Sequence, residues 1–363
     1  MTPSTPTVGI IGLGFGRAHI AAFQANGCRV VAVAQRDEAS AKKIAAQYAI
    51  ADVFARWEDL IERGRPEIVV IATPPHLHLA IALRAFATGA HVLCEKPIAM
   101  TRAEAETMLI AAAKHDRIAM TGFNWRFTAG MQEMHRRLAA GAAGRVFHAS
   151  GRWLGSRMAD RQVPATWRAD RAQAAHGAMG DMGVHLVDLV RWNLGEIVRV
   201  TAGSGVAYPE RSAPGVACAA DAEDHCAVLA ELASGALVTL TASRVTRAVN
   251  EQSLEVFGTE GTLVYRSMRE LPRWFEGELR ATDGGGALQP VALAGVPDAS
   301  RATGDQLDVI GKVLIAPLVA RLLEGIRTGS TPSPSLEDGV RAQAVLDAVL
   351  EASSRAGWTA VAR

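Results

Sequence analysis

Gly12-Leu13-Gly14-Phe15-Gly16 lies between a β-branched run, Val8–Ile11, and a helix-like stretch, roughly Arg17–Ala25. Glycines at such a junction permit a tight strand-to-helix turn and let the backbone come close to a pyrophosphate. That group then rests on a helix N-terminus, whose unsatisfied N–H groups favour an anion. The same rhythm continues through the first third of the chain. Val30–Ala34, Ile68–Ala72 and His91–Cys94 read as short apolar strands, and Ser40–Tyr48, His76–Thr88 and Arg102–His115 as helices. Gly27 and Gly89 stand just past two of these helices, where a left-handed C-cap is wanted. Continuous apolar strands separated by helices imply a parallel sheet covered on both faces, the doubly wound dinucleotide-binding α/β architecture. The loop departs from G-x-G-x-x-G: the third glycine comes one position early, at Gly16, and Arg17 stands where a small residue usually lets helix and strand pack.

A chain of 363 residues suits two domains. From about Phe123 the pattern changes to one helix, near Met182–Asn193, followed by the strands Val198–Ala202, Cys226–Leu232, Leu237–Ala242 and Ser253–Phe257. Glycine-bearing turns at Ser234–Gly235 and Thr259–Gly261 join them, as in an α+β domain with an open, mostly antiparallel sheet. The stretch Ala281–Gly304, rich in Gly, Ala, Pro and Asp, reads as a long excursion. Ser335 to Asp338 forms a capping-box pattern that opens a last amphipathic helix through Ala352. The expected division is a Rossmann domain over residues 1–122 and an α+β substrate-binding and oligomerisation domain over 123–363. The last helix, about 335–356, is placed to pack back on the first domain.

Composition excludes several classes. Lys plus Arg is 38 and Asp plus Glu 37, a formal net charge of +1, so no global field recruits nucleic acid or an anionic membrane. No apolar run reaches the roughly 18–20 residues of a membrane span, and no secretory leader is visible at the N-terminus. Cys28, Cys94, Cys218 and Cys226 have no metal-ligand spacing and read as buried fillers. His76 and His78, with no acid or thiol cluster beside them, do not read as a zinc site. A metal-free protein in a reducing, cytoplasmic setting is expected. A homodimer or homotetramer is also expected, formed through the open sheet, with Val228, Ala230, Leu232, Leu237, Thr239 and Thr241 on the face that would otherwise meet water.

Three further motifs carry chemistry. Glu95-Lys96-Pro97 follows a strand at the carboxyl edge of the sheet, where ligands of such folds bind, and Ala72-Thr73-Pro74 with His76 and His78 occupies the edge of the preceding strand. Gly180-Asp181-Met182-Gly183-Val184-His185 opens the helix of the second domain, with Asp188 one turn on. Together with the glycine loop, these resemble the glucose–fructose oxidoreductase, inositol dehydrogenase and MocA family. The likeness extends to Asn124-Trp125-Arg126-Phe127, Trp167-Arg168 and Gly258–Thr262. It implies NAD(P)-dependent hydride transfer, without a metal, to or from a sugar, inositol or related polyol or keto-sugar. It also implies catalytic roles for Lys96, Asp181 and His185. The cofactor contacts expected are Gly12, Gly14, Phe15, Gly16, Gln35, Arg36, Thr73, Pro74, His78, Glu95 and Lys96. For the substrate they are Lys96, Asn124, Arg126, Trp153, Trp167, Arg168, Asp181 and His185, with His176 and Arg157 as further pocket candidates.

Oxidising an alcohol needs a base for the hydroxyl proton, best supplied by a group with pKa near working pH. Lysine, at ~10.4, must be perturbed downward by desolvation or a neighbouring positive charge; histidine, at ~6.5, needs less. Asp181 and His185, four apart, share a helix face. Taken singly the motifs are ordinary: Glu95-Lys96 alone is an exposed ion pair and Asp181 alone a helix cap. Cofactor choice turns on the end of the second strand. There Gln35 replaces the usual ribose-binding acid and Arg36 stands beside it, which leans towards NADP; Asp37 is the counter-candidate for the ribose. Two alternatives share the resemblance: glycoside cleavage through transient oxidation, and a non-catalytic cofactor-sensing regulator. The joint presence of Lys96, Asp181 and His185 argues against the second.

Overall fold

The computed structural model describes residues 5–211, 220–268, 277–282, 286–296, 305–355 and 357–362. The chain forms two units: Met1–Asn124 with Ser300–Val340, and Trp125–Ala299 with Arg341–Arg363. A boundary after residue 122 divides the chain differently, because residues 300–340 belong with the first unit. The last helix, Leu336–Ser354, is shared by the two: Leu336 and Val340 enter the first unit's core, and its residues from Arg341 group with the second.

In the first unit β1 (Thr7–Ile11), β2 (Arg29–Ala34), β3 (Asp52–Phe54), β4 (Ile68–Ile71), β5 (His91–Cys94) and β6 (Ala119–Thr121) form a six-stranded sheet of order β3-β2-β1-β4-β5-β6. Every pairing is parallel. This is a Rossmann fold, and its strand order reverses at β1 and β4, whose carboxyl ends open the crevice where ligands of such sheets bind. Ile68–Ile71 is buried throughout, as an apolar run covered on both faces requires. Helices Gly16–Ala25, Glu38–Gln47, His78–Ala87 and Arg102–Lys114 supply the connections, the third entered through a 3₁₀ turn at Pro75–Leu77. Gly27 and Gly89 take the expected positive φ, 75° and 86°. Ser335 and Asp338 cap the last helix reciprocally: Asp338 N–H donates to Ser335 Oγ at 3.1 Å and Ser335 N–H to Asp338 Oδ2 at 2.8 Å.

In the second unit β7 (Val146–Leu154), β8 (Ile197–Gly205), β9 (His225–Leu232), β10 (Leu237–Ser243), β11 (Glu251–Gly258), β12 (Thr262–Ser267), β13 (Glu278–Ala281), β14 (Gln289–Pro290) and β15 (Thr359–Ala360) form one sheet. Its order is β14-β13-β12-β11-β7-β10-β9-β8-β15, antiparallel except where β10 pairs with β7. The Ala281–Gly304 excursion contains β14; residues 283–285 and 297–304 lie outside the described residues, as does Cys218.

The expected outward face of this sheet needs correction. Val228, Ala230 and Leu232 are 4%, 0% and 1% exposed and share the buried face with Val238 and Leu240, whereas Leu237 is 42% exposed and Thr239 is also outward. Register explains it: Val228 stands opposite Leu240, and Leu237 opposite Glu231, so the two halves of the expected set lie on opposite faces. Cys28, Cys94 and Cys226 are buried, and burial pushes the thiols of Cys28 and Cys226 up to about 11 and about 12. Among the described residues no helix is long and apolar enough to cross a membrane.

Candidate active site

The glycine loop is built for close approach. Gly12 has φ +90°, and a Cβ there would lie 2.5 Å from the Ala72 carbonyl oxygen. A Cβ on Gly14 would meet nothing within 4 Å, so the space beside the loop is open. The helix that follows has no side-chain cap and no acid in its first turn, leaving its N–H groups and positive dipole end for an anion. Gly16 restores the contact that the shifted pattern put in question. Its missing Cβ would sit 3.1 Å from Ile10 Cγ2 and 3.4 Å from Ala72 Cβ, so this glycine provides the close helix–strand packing. The open, uncapped cradle fits a dinucleotide pyrophosphate.

At the end of β2, Gln35 Oε1 accepts the Leu13 N–H at 3.2 Å and so pins the glycine loop. Asp37 is engaged as the N-cap of Glu38–Gln47, accepting from Ser40 N–H at 3.1 Å, and Arg36 is exposed. Thr73 and Pro74 are half-buried beyond β4. His78, expected among the cofactor contacts, is fully buried: its ring nitrogens face the Thr73 carbonyl at 2.9 Å and the Ile98 carbonyl at 3.2 Å. Burial lowers its pKa, and the ring, with one N–H to donate when neutral, lies between the two ligand-edge loops.

Glu95 is buried against His19, whose Nε2 lies 2.7 Å from Glu95 Oε1. Gly122 makes room for it, since a Cβ there would come within 3.0 Å of Oε1. Burial pushes the Glu95 carboxyl up, but the contacts with His19 and Lys96 outweigh it and hold the pKa below the usual carboxylate range. Lys96 is half-buried at this edge, its N–H 3.3 Å from Glu95 Oε2. The sequence reading missed His19, because a histidine on an apolar helix face carries no signal of its partner.

The second unit collects a second set of residues. The helix carrying Asp181 and His185 begins as a π turn, Met179–Gly183, before the α-helix Val184–Leu194; such turns are frequent at functional sites. His185 stacks on Trp153 with ring centroids 5.0 Å apart, and Trp125 meets both rings edge-on. Asp181 faces two guanidinium groups, Arg157 at 3.0 Å and Arg168 at 3.6 Å, and Arg168 lies 4.2 Å over the Trp167 ring. Arg126, expected to touch substrate, is 3% exposed and its Nε donates to Asp188 Oδ2 at 2.8 Å, with Nη2 completing a bidentate pair to Oδ1. His176 is also buried, with Gln343 Nε2 at 3.4 Å and Asp347 at 3.7 Å. Asn124 is buried in the 3₁₀ turn Asn124–Phe127.

Family models match both parts of the chain: an oxidoreductase-family NAD-binding Rossmann fold over residues 7–123 and a GFO/IDH/MocA C-terminal domain over 131–264. The chain belongs to the GFO/IDH/MocA family of oxidoreductases. It is similar to the levoglucosan dehydrogenase of Pseudarthrobacter phenanthrenivorans, 27% identical over 98% of this chain and 97% of the relative. The inositol 2-dehydrogenase 1 of Saccharopolyspora erythraea is 34% identical over 54% of this chain and 57% of its own. A solved structure of levoglucosan dehydrogenase in complex with NADH and levoglucosan matches with a TM-score of 0.88 at 27% identity, covering 99% of this chain and all of that one (100%).

Removing one partner of a buried pair leaves the other charge uncompensated, at a cost of about 3–5 kcal/mol. His19→Leu is therefore expected to destabilise the protein by that order in urea unfolding at neutral pH, and Glu95→Gln in the same background to recover part of the loss. In the wild type the depressed pKa of Glu95 means its contribution is present above ~4.3 and lost as pH falls through the folded value. In the leucine variant the sign reverses, because protonation removes the unpaired charge. Its deficit should shrink in acid. A variant as stable as wild type at neutral pH would deny the pair this role.

Proposed function

We propose that this protein transfers a hydride between a nicotinamide cofactor and a CH–OH carbon of a sugar, inositol or related polyol or keto-sugar. The observation that carries the reading is the coincidence of an open glycine cradle and Glu95-Lys96 on the carboxyl side of one parallel sheet. The names of the full-length relatives support the substrate class.

Bound nicotinamide supplies the hydride acceptor or donor. Lys96 is assigned the hydroxyl proton, with His185 as the second candidate; the stack on Trp153 holds that imidazole in one plane. Asp181, braced by Arg157 and Arg168, is assigned a substrate hydroxyl as a hydrogen-bond acceptor. The indole faces of Trp153 and Trp167 suit the apolar faces of a sugar ring. Lys96→Met should lower turnover by at least ~10², the usual scale for a positioned acid or base, with NAD affinity little changed. The assay follows nicotinamide absorbance with levoglucosan, myo-inositol and D-glucose. Near wild-type turnover in that variant would pass the proton to His185.

We also propose that NADP is used at least as well as NAD. Gln35 presents an amide where an NAD-selective site has a carboxylate, Asp37 is engaged as a helix cap, and Arg36 is exposed beside them. A charge-assisted bond from Arg36 to a 2′-phosphate is worth about 1.5–3 kcal/mol, or roughly 10- to 100-fold. Arg36→Ala should lose NADP use in kcat/KM measurements with both cofactors. A wild type that strongly prefers NAD, and loses that preference in Asp37→Ala, would reverse the assignment.

A homodimer or homotetramer through the outward face of the nine-stranded sheet completes the reading, in a reducing cytoplasm that suits the buried thiols. That face offers Leu237 and the stacked pair His148–Phe257, centroids 4.6 Å apart, with Phe147 exposed on the neighbouring strand position. A stable monomer in light scattering at micromolar concentration would exclude it.

A further inference from the structure

Three consecutive residues ahead of β9 bond to separate parts of the second unit. Ala222 N–H donates to the Ala169 carbonyl at 2.9 Å, and the Ala222 carbonyl accepts from Arg244 Nη2 at 3.1 Å. Asp224 takes Arg244 Nε at 2.8 Å in a buried pair, while Arg244 Nη1 donates to the Arg168 carbonyl at 2.8 Å. Between them, Glu223 is 5% exposed and points its carboxylate at the start of the Asp181 turn. Its Oε1 accepts the Gly177 N–H at 2.7 Å and the Met179 N–H at 3.1 Å, and its own carbonyl accepts the Ala178 N–H at 2.7 Å. The fit is tight: a Cβ on Gly177 would lie 1.9 Å from the Glu223 carbonyl oxygen.

A helix start exposes N–H groups with no intrahelical partner, and a cap normally comes from the residue just before it. Here that residue is Ala178, which has no capping side chain. Glu223 supplies the acceptor from a distant part of the chain, and does so for the helix that carries both Asp181 and His185. Its second oxygen, Oε2, is buried with no hydrogen-bond partner among the described residues, so the contacts of the carboxylate are concentrated in Oε1. The same short segment fixes the Arg168 backbone through Arg244, and the Arg168 guanidinium faces Asp181.

We propose that Glu223 is a positioning residue of the active site, which sets the place of Asp181 and His185 by capping their helix and, with its two neighbours, registers Arg168 against them. This rests on the roles given to Asp181 and His185 above. A misplacement of about 1 Å at reacting groups costs on the order of 10² in rate, so the effect belongs in sugar turnover and not in cofactor binding, which uses the first unit.

The test compares Glu223→Ala, Glu223→Asp and Glu223→Gln in the full chain. The readouts are the NADH Kd by fluorescence, kcat and KM for levoglucosan, and amide exchange of the segment 176–186. The alanine variant loses the acceptor and the aspartate falls one methylene short, so both should drop kcat/KM about 10- to 100-fold with NADH Kd within about threefold of wild type. Glutamine keeps an oxygen at the same reach and should stay within about threefold. Exchange across 176–186 should accelerate at least ~10-fold in the alanine variant and little in the glutamine one. If alanine prevents folding, the aspartate variant carries the comparison. If levoglucosan is not turned over, the exchange data decide alone, and unchanged exchange overturns the proposal. A folded alanine or aspartate variant with wild-type kcat/KM overturns it too, as does a glutamine variant as damaged as alanine. Asp181→Asn run in parallel separates the two levels. Wild-type activity there removes the role assigned to Asp181 and this proposal with it, whereas lost activity beside an intact Glu223→Ala removes this proposal alone.

Discussion

A carboxylate taken out of water needs partners, and the ligand edge of the first unit is organised around one such group. Glu95 lies where three elements meet: the first turn of the first helix brings His19, the residue after β5 is Glu95 itself, and the chain after β6 brings Gly122, whose lack of a Cβ leaves the carboxylate its space. The backbone of Lys96 is held by the same side chain. His78 is buried between the carbonyls of Thr73 and Ile98 and packs against the loops after β4 and β5. The residues with chemical potential therefore stand on loops whose geometry is over-determined by buried polar contacts, as preorganised sites require.

The second unit follows the same logic with different residues. Arg126 and Asp188 form a buried bidentate pair, Arg244 and Asp224 a buried pair joined through Nε while the other two guanidinium nitrogens donate to the Arg168 and Ala222 carbonyls, and Glu223 bonds to backbone alone. Buried pairs of this kind are weak arguments for net stability, because desolvation offsets much of the attraction. Their geometric content is stronger. A guanidinium fork accepts few orientations of a carboxylate, and each pair here links segments far apart in sequence: residues 126 and 188, or 168, 224 and 244.

Much of the fold was legible because its physics is local. β1, β4 and β5 are apolar runs that only a doubly covered parallel sheet explains, and the Ser335–Asp338 box names its own helix start. β3 and β6, three residues each, are too short to show a period. β7 escaped because Gly151 interrupts it, where a Cβ would lie 3.0 Å from Leu240 Cδ2, and because His148, Ser150 and Arg152 break up its apolar residues. The error on the sheet face came from counting alternation across the β9–β10 turn. Leu232 and Leu237 are an odd number of residues apart, so their parity reverses. At the site, residues inside motifs were visible and their supports were not. His19, Glu223 and Arg244 are single polar residues whose meaning lies in contacts 20 to 76 residues away.

The irregular glycine loop and the divided first unit turn out to be one feature. Arg17 occupies the position where a small residue would normally press against the strand, and Gly16 makes that contact instead. Arg17 is thereby turned outward, and its guanidinium pairs with Asp305, the N-cap of the returning helix Gln306–Ile310. Tyr48 bonds Asp308, and Asn26 Nδ2 donates to the Ala316 carbonyl at 3.0 Å, so the returning segment lies along the first helix. Its approach is close enough that a Cβ on Gly311 would fall 2.1 Å from the Ala18 carbonyl oxygen. Shifting the third glycine by one residue rotates which side chain faces the sheet and which faces away. The arginine that the usual pattern would forbid becomes the anchor for a segment nearly three hundred residues later (288 positions from Arg17 to Asp305). The departure is consistent with the fold because both halves of it are present, the early glycine inside and the returning helix outside.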